Sequence, residues 1–138
     1  MAISRVDFRF VQPAWDNLRY SEHGLVGRDM TRRGEYIANR ARIQVGVDTG
    51  ALRRTITRAT FGSKRIGPYT IVSAGGPDAP HALMHHEGTR PHVIEAKGRR
   101  SMLKFNVGGK TVYVTRVLHP GTRENNYLTD HLPMAVRI

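Results

Sequence analysis

Cysteine does not occur in this chain of 138 residues, and its absence removes several chemistries at once. A disulfide, a thiolate zinc site, an iron–sulfur cluster and a cysteine nucleophile are all excluded. The fold must hold by packing alone, which a chain of this length can do, and a reducing compartment suits it. Aromatic residues are scarce, 7% with a single Trp, so a sheet platform for stacking bases lacks its material. No apolar run approaches the length of a membrane span. The opening MAISRVDFRF alternates polar with apolar residues, unlike the continuous apolar segment of a signal peptide. Acids are few as well: 11 Asp and Glu stand against 22 Lys and Arg, a formal net charge of +11.

What is present in excess is arginine, 18 residues against 4 lysines. Arg pairs bidentately with carboxylates and phosphates and tolerates partial desolvation better than Lys. The surplus therefore points to an anionic partner, either DNA or an acidic protein surface. Two groups concentrate it: Arg28, Arg32 and Arg42 on a helical pattern, and Lys97, Arg99, Arg100 and Lys104 around a predicted hairpin. These suit phosphate contact, yet they match no helix-turn-helix, zinc finger or aromatic-laced sheet.

ISRVDFRFV (3–11) reads as an extended segment closed by Gln12-Pro13. From Leu25 to Val45 the period is helical, with Val26, Met30, Gly34, Ile37, Ala41 and Val45 on one stripe. Gly34 in that stripe costs about 1 kcal/mol of propensity, and a close approach of another backbone is the expected reason. Asp48 or Thr49 is placed to cap a helical turn at GALRR. TITRATF (55–61) and YTIVSA (69–74) read as strands, and GGPDAPH (75–81) as a loop. SMLKFNV-GG-KTVYVTRV is a hairpin signal: a Gly-Gly pair between alternating runs. Its register predicts Val107 opposite Lys110, Phe105 opposite Val112 and Leu103 opposite Val114, with Leu103, Phe105, Val112 and Val114 on one buried face. LTDHLPMAV suits a short helix burying Leu128, Leu132, Ala135 and Val136, limited or bent by Pro133. The chain thus reads as one α+β domain, 1–138: an extended arm and linker over 1–24, then a core over 25–138. In that core one long helix packs on a mostly antiparallel sheet, and a short C-terminal helix follows.

HALMHHEGTRPHVIEAKGRRSMLKF (81–105) holds four of the seven histidines and looks like chemistry. His81 and His85 stand four apart, as on one helix face, with His86, Glu87 and His92 near. No second His follows His86-Glu87 at the zinc-protease spacing, however, and Gly88 and Pro91 break any helix that would hold ligands. Ser101 lacks the flanking glycines of a nucleophile elbow. Glu87 and Glu95 lie eight apart across Pro91 with no sign of convergence. The spacing of a phosphate loop is missing. The reading is a protein that is not an enzyme and has no metal site or cofactor.

Three phrases in order, VDTGALRRTI (47–56), HALMHHEGTRPHVI (81–94) and VLHPGTRENNYLTDHL (117–132), together resemble a known family. It is the tail-completion proteins (head–tail joining, neck or connector) of long-tailed double-stranded DNA bacteriophages. The positions carrying the resemblance are Asp48, Thr49, Gly50 and Leu52; Glu87, Gly88 and Thr89; and His119, Pro120, Gly121 and Thr122, leading to Tyr127-Leu128. The resemblance implies structural roles for these residues, with Gly88 and Gly121 permitting turns and Thr89 and Thr122 bonding locally to backbone. It further implies a virion protein at the head–tail junction, assembled in the host cytoplasm as a homo-oligomeric ring, expected as a hexamer. Its partners would be neighbouring connector and tail proteins. Genomic DNA would pass through the lumen without specific binding, and no membrane would be involved. The alternatives are a non-specific DNA-binding or packaging accessory protein and a small metal-dependent hydrolase.

Overall fold

Among the described residues the first regular element begins at Gln12-Pro13. Proline is tolerated in the first turn of a helix, where its missing N–H has no intrahelical partner to lose. A computed structural model describes residue 9, residues 11–98 and residues 101–138. In it Pro13 opens helix α1 (Gln12–Tyr20), so this part of the expected arm is helical and not extended. The rest of the arm, apart from Arg9 and Val11, lies outside the described residues. The remaining elements are α2 (Leu25–Gln44), α3 (Ala51–Thr55), β1 (Thr57–Phe61), β2 (Tyr69–Ser73), α4 (Ala82–Glu87), β3 (His92–Glu95), β4 (Leu103–Val107), β5 (Lys110–Val114), β6 (Arg116–His119) and α5 (Leu132–Ala135). The class is α+β, with antiparallel pairing throughout the described strands. The elements form two compact units, one comprising the chain to Pro80 together with Tyr127–Ile138, the other His81–Asn126.

In the first unit α2 packs on the β1–β2 hairpin, in which Ala59 faces Ile71 and Thr60 faces Thr70. The predicted apolar stripe of α2 holds from Gly34 onward, where Gly34, Ile37, Ala41 and Val45 are buried. It fails at the helix start: Met30 is half-buried and Val26 is exposed. Gly34 is needed for a close approach, though a side chain makes it and not a backbone. A Cβ there would sit 2.2 Å from Cγ2 of Thr70. The Thr70 hydroxyl is held by Thr60, 2.8 Å away, which also meets the Thr31 hydroxyl at 2.9 Å. Engaging the hydroxyl fixes the rotamer of a β-branched residue and turns its methyl onto the helix. Leu52, Ile56 and Tyr127 complete the core. In the C-terminal segment Ala135 is buried as expected and Leu128 is half-buried, whereas Leu132 and Val136 are exposed. Pro133 stands in the first turn of α5, so it opens the helix rather than bending it.

The second unit is built on a long antiparallel ribbon. Gly108 and Gly109 both have positive φ, 56° and 81°, as a two-residue primed turn requires. The register is the predicted one: Val107 opposite Lys110, Phe105 opposite Val112, Leu103 opposite Val114. Leu103, Phe105, Val112 and Val114 share a face, but each is only half-buried. The expected buried face is therefore a partly covered one. Beyond Thr115 the ribbon continues as β3 against β6, in a different phase. Glu95 faces Arg116 while Leu103 faces Val114, so residues 96–102 are an excursion opposite Thr115 alone. The excursion carries Lys97, which is exposed.

Candidate functional site

The second and third of the three phrases converge on one another. In the β3–β6 ladder His92 faces His119. The same register runs on to an isolated bridge between Thr89 and Thr122, which sets Pro91 opposite Pro120. Neither proline has an N–H to donate, so the ladder breaks there and resumes two residues further out. Thr89 donates its amide to the Thr122 carbonyl, and Thr122 returns the bond, each at 3.0 Å. The Thr122 amide also reaches the Thr89 hydroxyl at 3.0 Å, and the two hydroxyls meet at 3.1 Å. The threonines thus bond to each other across 33 residues, not locally as expected.

The two glycines make this clasp possible. Gly88 has φ 73° and Gly121 φ 89°, a region L side chains resist. A Cβ on Gly121 would lie 2.3 Å from the Thr89 carbonyl oxygen, and one on Gly88 would lie 2.6 Å from that of Thr122. Each phrase presses its glycine against the other's backbone. Glu87 ends α4 in an exposed position, and the Asn125 amide bonds the His86 carbonyl at 3.1 Å.

Behind the clasp lies a hollow of about 370 Å³ whose lining includes His81, His85, His92 and His119 with Met84 and Ile94, and no carboxylate. The rings of His92 and His119 approach to 5.1 Å between centroids. Nδ1 of His119 accepts from the Gly121 amide at 3.1 Å, which assigns its proton to Nε2 when neutral. His92 is the reverse, with Nδ1 donating to the Arg90 carbonyl at 2.9 Å. Two of the four imidazoles are thereby committed to holding backbone. Among the described residues no three His, Cys, Asp or Glu side chains are grouped to hold a metal ion.

The first phrase serves the other unit. Gly50, at φ 75°, is the residue before α3, and Leu52 is buried. The cap expected from Asp48 or Thr49 reduces to a long contact, Ala51 amide to Thr49 hydroxyl at 3.4 Å. Asp48 is exposed. Among the basic residues, Arg42 is committed to its own chain, donating to the Ile56 carbonyl at 2.7 Å and to Asn39 at 2.8 Å. Arg32 pairs with Asp29 at 2.8 Å while staying largely exposed. Arg28 and Lys104 are exposed, and Arg99 and Arg100 lie outside the described residues.

Sequence reasoning missed Arg33. It holds Asp29 at 2.6 Å and donates to the carbonyls of Ala135 and Val136 at 3.0 and 2.7 Å, fastening α5 to α2. The Asp29–Arg33 spacing of four, acid first, is the signal that could have found the ion pair. Hydrogen bonding from Arg33 holds the Asp29 carboxyl below its ordinary range. Arg58, at 2.6 Å, does the same for Glu35. Burial pushes the Tyr127 phenol up.

Compared with known proteins, the chain matches no family model, no curated protein and no solved structure.

Proposed function

We propose that this chain is a structural virion protein of a tailed bacteriophage, forming an oligomeric ring at the head–tail junction through which the genome passes. One observation carries the reading. The three phrases that resemble the tail-completion family are all used for backbone geometry: two close the Thr89–Thr122 clasp, and the third turns the chain into α3. A residue set that shapes backbone suits an assembly component better than a catalyst. The open edges and half-covered face of the β4–β5 ribbon give further support, because closing a ring requires heterologous contacts between copies. Edge strands supply such contacts readily.

The test has two arms. Electron microscopy of the assembled protein is expected to show a symmetric ring; a monodisperse monomer at every concentration would remove the reading. Reversing Arg99 and Arg100 to Glu is expected to leave full capsids and unattached tails, while free wild-type subunits bind DNA weakly near physiological salt. Tight wild-type DNA binding lost on reversal, with heads and tails still joining, would favour a DNA-binding accessory protein instead.

A further inference from the structure

Neither group of basic residues singled out from the sequence includes the most constructed cationic surface, which the fold makes from two distant segments. The turn after β1 docks on the end of α1, with the Ser63 amide bonding the Tyr20 carbonyl at 3.0 Å. The turn closes on itself through the Gly67 amide to the Ser63 carbonyl, also at 3.0 Å. A hollow of about 420 Å³ results, lined by Arg19, Tyr20, Val26, Lys64, Arg65 and Ile66 among others. Arg19 is pre-positioned: its guanidinium carbon lies 5.1 Å from the Tyr20 ring and 5.9 Å from that of Trp15. Such contacts restrict an arginine's rotamers while leaving its N–H edge available. Lys64 reaches Asp16 at 3.3 Å but is 78% exposed, so the pair neutralises it weakly. Val26 and Ile66 stand exposed in the lining beside the cations, and Trp15 and Leu18 on α1 are exposed as well.

We infer that this hollow is a docking site for an acidic protein segment that inserts an apolar side chain between Arg19 and Arg65 and places carboxylates on those arginines. Three considerations select that occupant. Tyr20, Arg19 and Arg65 line a preformed hollow, and Tyr and Arg are residue types enriched in interface hot spots. A nucleic-acid backbone would use the cations but leave Val26 and Ile66 in water, gaining nothing from them. A second copy of this chain carries the same +11 surplus, so like-charge repulsion opposes it as the occupant. The partner is therefore anionic and is not this chain. For its being a neighbouring virion component, the inference rests on the function proposed above.

The only tryptophan of the chain, Trp15, lies outside the lining but 5.9 Å from the Arg19 guanidinium carbon, so its emission reports on Arg19. Full-length protein is titrated with three probes: a short peptide of Asp and Glu around a central Leu-Phe pair, the same peptide with Ser-Ser at its centre, and a DNA duplex of equal net charge. The Leu-Phe peptide is expected to shift Trp15 emission and to bind about tenfold tighter than the Ser-Ser peptide, as burial of one apolar side chain allows. Combining Arg19→Ala with Arg65→Glu is expected to abolish binding of both peptides. Ile66→Ser is expected to remove only the preference between them, with far-UV circular dichroism unchanged. Equal binding of the two peptides, tighter binding of the duplex, or binding that leaves Trp15 emission unmoved would overturn the inference, and the wild-type titrations decide this even if a variant fails to fold. A symmetric ring without peptide binding refutes the site alone, whereas peptide binding without a ring refutes the assembly reading and leaves the site standing.

Discussion

Replacing Gly121 with Ala tests whether the meeting of the two Gly-Thr phrases stabilises the fold or merely accompanies it. The backbone contribution is the cost of holding an L residue at φ 89°, about 1–2 kcal/mol. The steric contribution is larger in consequence, because the new methyl would sit 2.3 Å from the Thr89 carbonyl oxygen, a backbone atom that cannot rotate away. Relief requires Thr89 and Thr122 to separate, which breaks their two reciprocal amide bonds at about 1 kcal/mol each. The total is roughly 3–4 kcal/mol. Gly109→Ala is the control: its φ is 81°, yet nothing lies within 4 Å of its would-be Cβ, so it incurs only the backbone cost. The expected difference of about 2 kcal/mol between the variants isolates the clasp from the φ penalty. Urea unfolding gives that difference, provided the slopes agree. Amide exchange at Thr89 and Thr122 localises it, with loss of protection in Gly121→Ala and not in Gly109→Ala. If Gly121→Ala costs no more than Gly109→Ala, or both threonine amides stay protected in it, the clasp contributes nothing and the reasoning is wrong.

Arg33→Ala is expected to cost roughly 2 kcal/mol, since a largely covered guanidinium bonding one carboxylate and two carbonyls is removed; Arg33→Lys should recover only part, and unchanged proteolysis of the C-terminal segment would count against the staple. Phe105→Ala is expected to cost roughly 1.5–2.5 kcal/mol, about half the value for a fully buried Phe, because its face is half-covered; a urea midpoint implying full burial in the isolated subunit would contradict that exposure. Asp29 and Glu35 both titrate below their ordinary values, so their contribution is present above the normal carboxylate range and is lost as pH falls through the depressed values. Arg58→Ala should flatten the Glu35 part of that acid limb, and an unchanged acid profile would show the pairing to be unimportant. Tyr127 is raised, so its contribution is complete below the ordinary tyrosine value and declines as pH rises toward the raised one; Tyr127→Phe should remove that alkaline decline from thermal midpoints.

The ribbon tip was readable because every local signal agreed. A Gly-Gly pair fixes the turn, the turn fixes the register, and alternation then names the face. Its degree of burial was not readable, since alternation shows which residues point one way but not what covers them. The buried half of α2 was legible from Gly34 onward, where small residues sit at helical spacing. Val26 and Met30 continue the period, yet Val26 is exposed and Met30 only half-buried. Helix α1 was missed because Pro13 served as a stop, although the same residue at a first turn is a start. Strand β3 has four residues between Pro91 and the basic excursion, too few for a period to show. The phrase positions were named from resemblance, but their meeting depends on a register carried over 33 residues, which no local window contains.

The acidic residues explain why so basic a chain need not be a DNA-binding protein. Asp16, Asp29 and Glu35 contact Lys64, Arg32 and Arg33, and Arg58 and Arg42 respectively, while Glu95 faces Arg116 across the ribbon. Three of the eleven acids, Asp16, Asp29 and Glu35, are thus used on cations of the same chain, and arginines such as Arg33 and Arg42 are drawn inward by carbonyls as well. What is offered outward includes Arg28, Arg32 and Arg40 along α2 and, among the other described residues, Lys97, Lys104, Lys110, Arg116 and Arg123. Arg19 and Arg65 line the hollow together with Tyr20, Val26 and Ile66. Cations beside exposed apolar side chains select partners by shape as well as by charge, whereas a polyanion rewards only the total. On the function proposed above, such a surface would serve to recognise neighbouring components rather than to grip the genome. Salt dependence distinguishes the cases, because docking through apolar anchors persists at ionic strengths that release phosphate contacts.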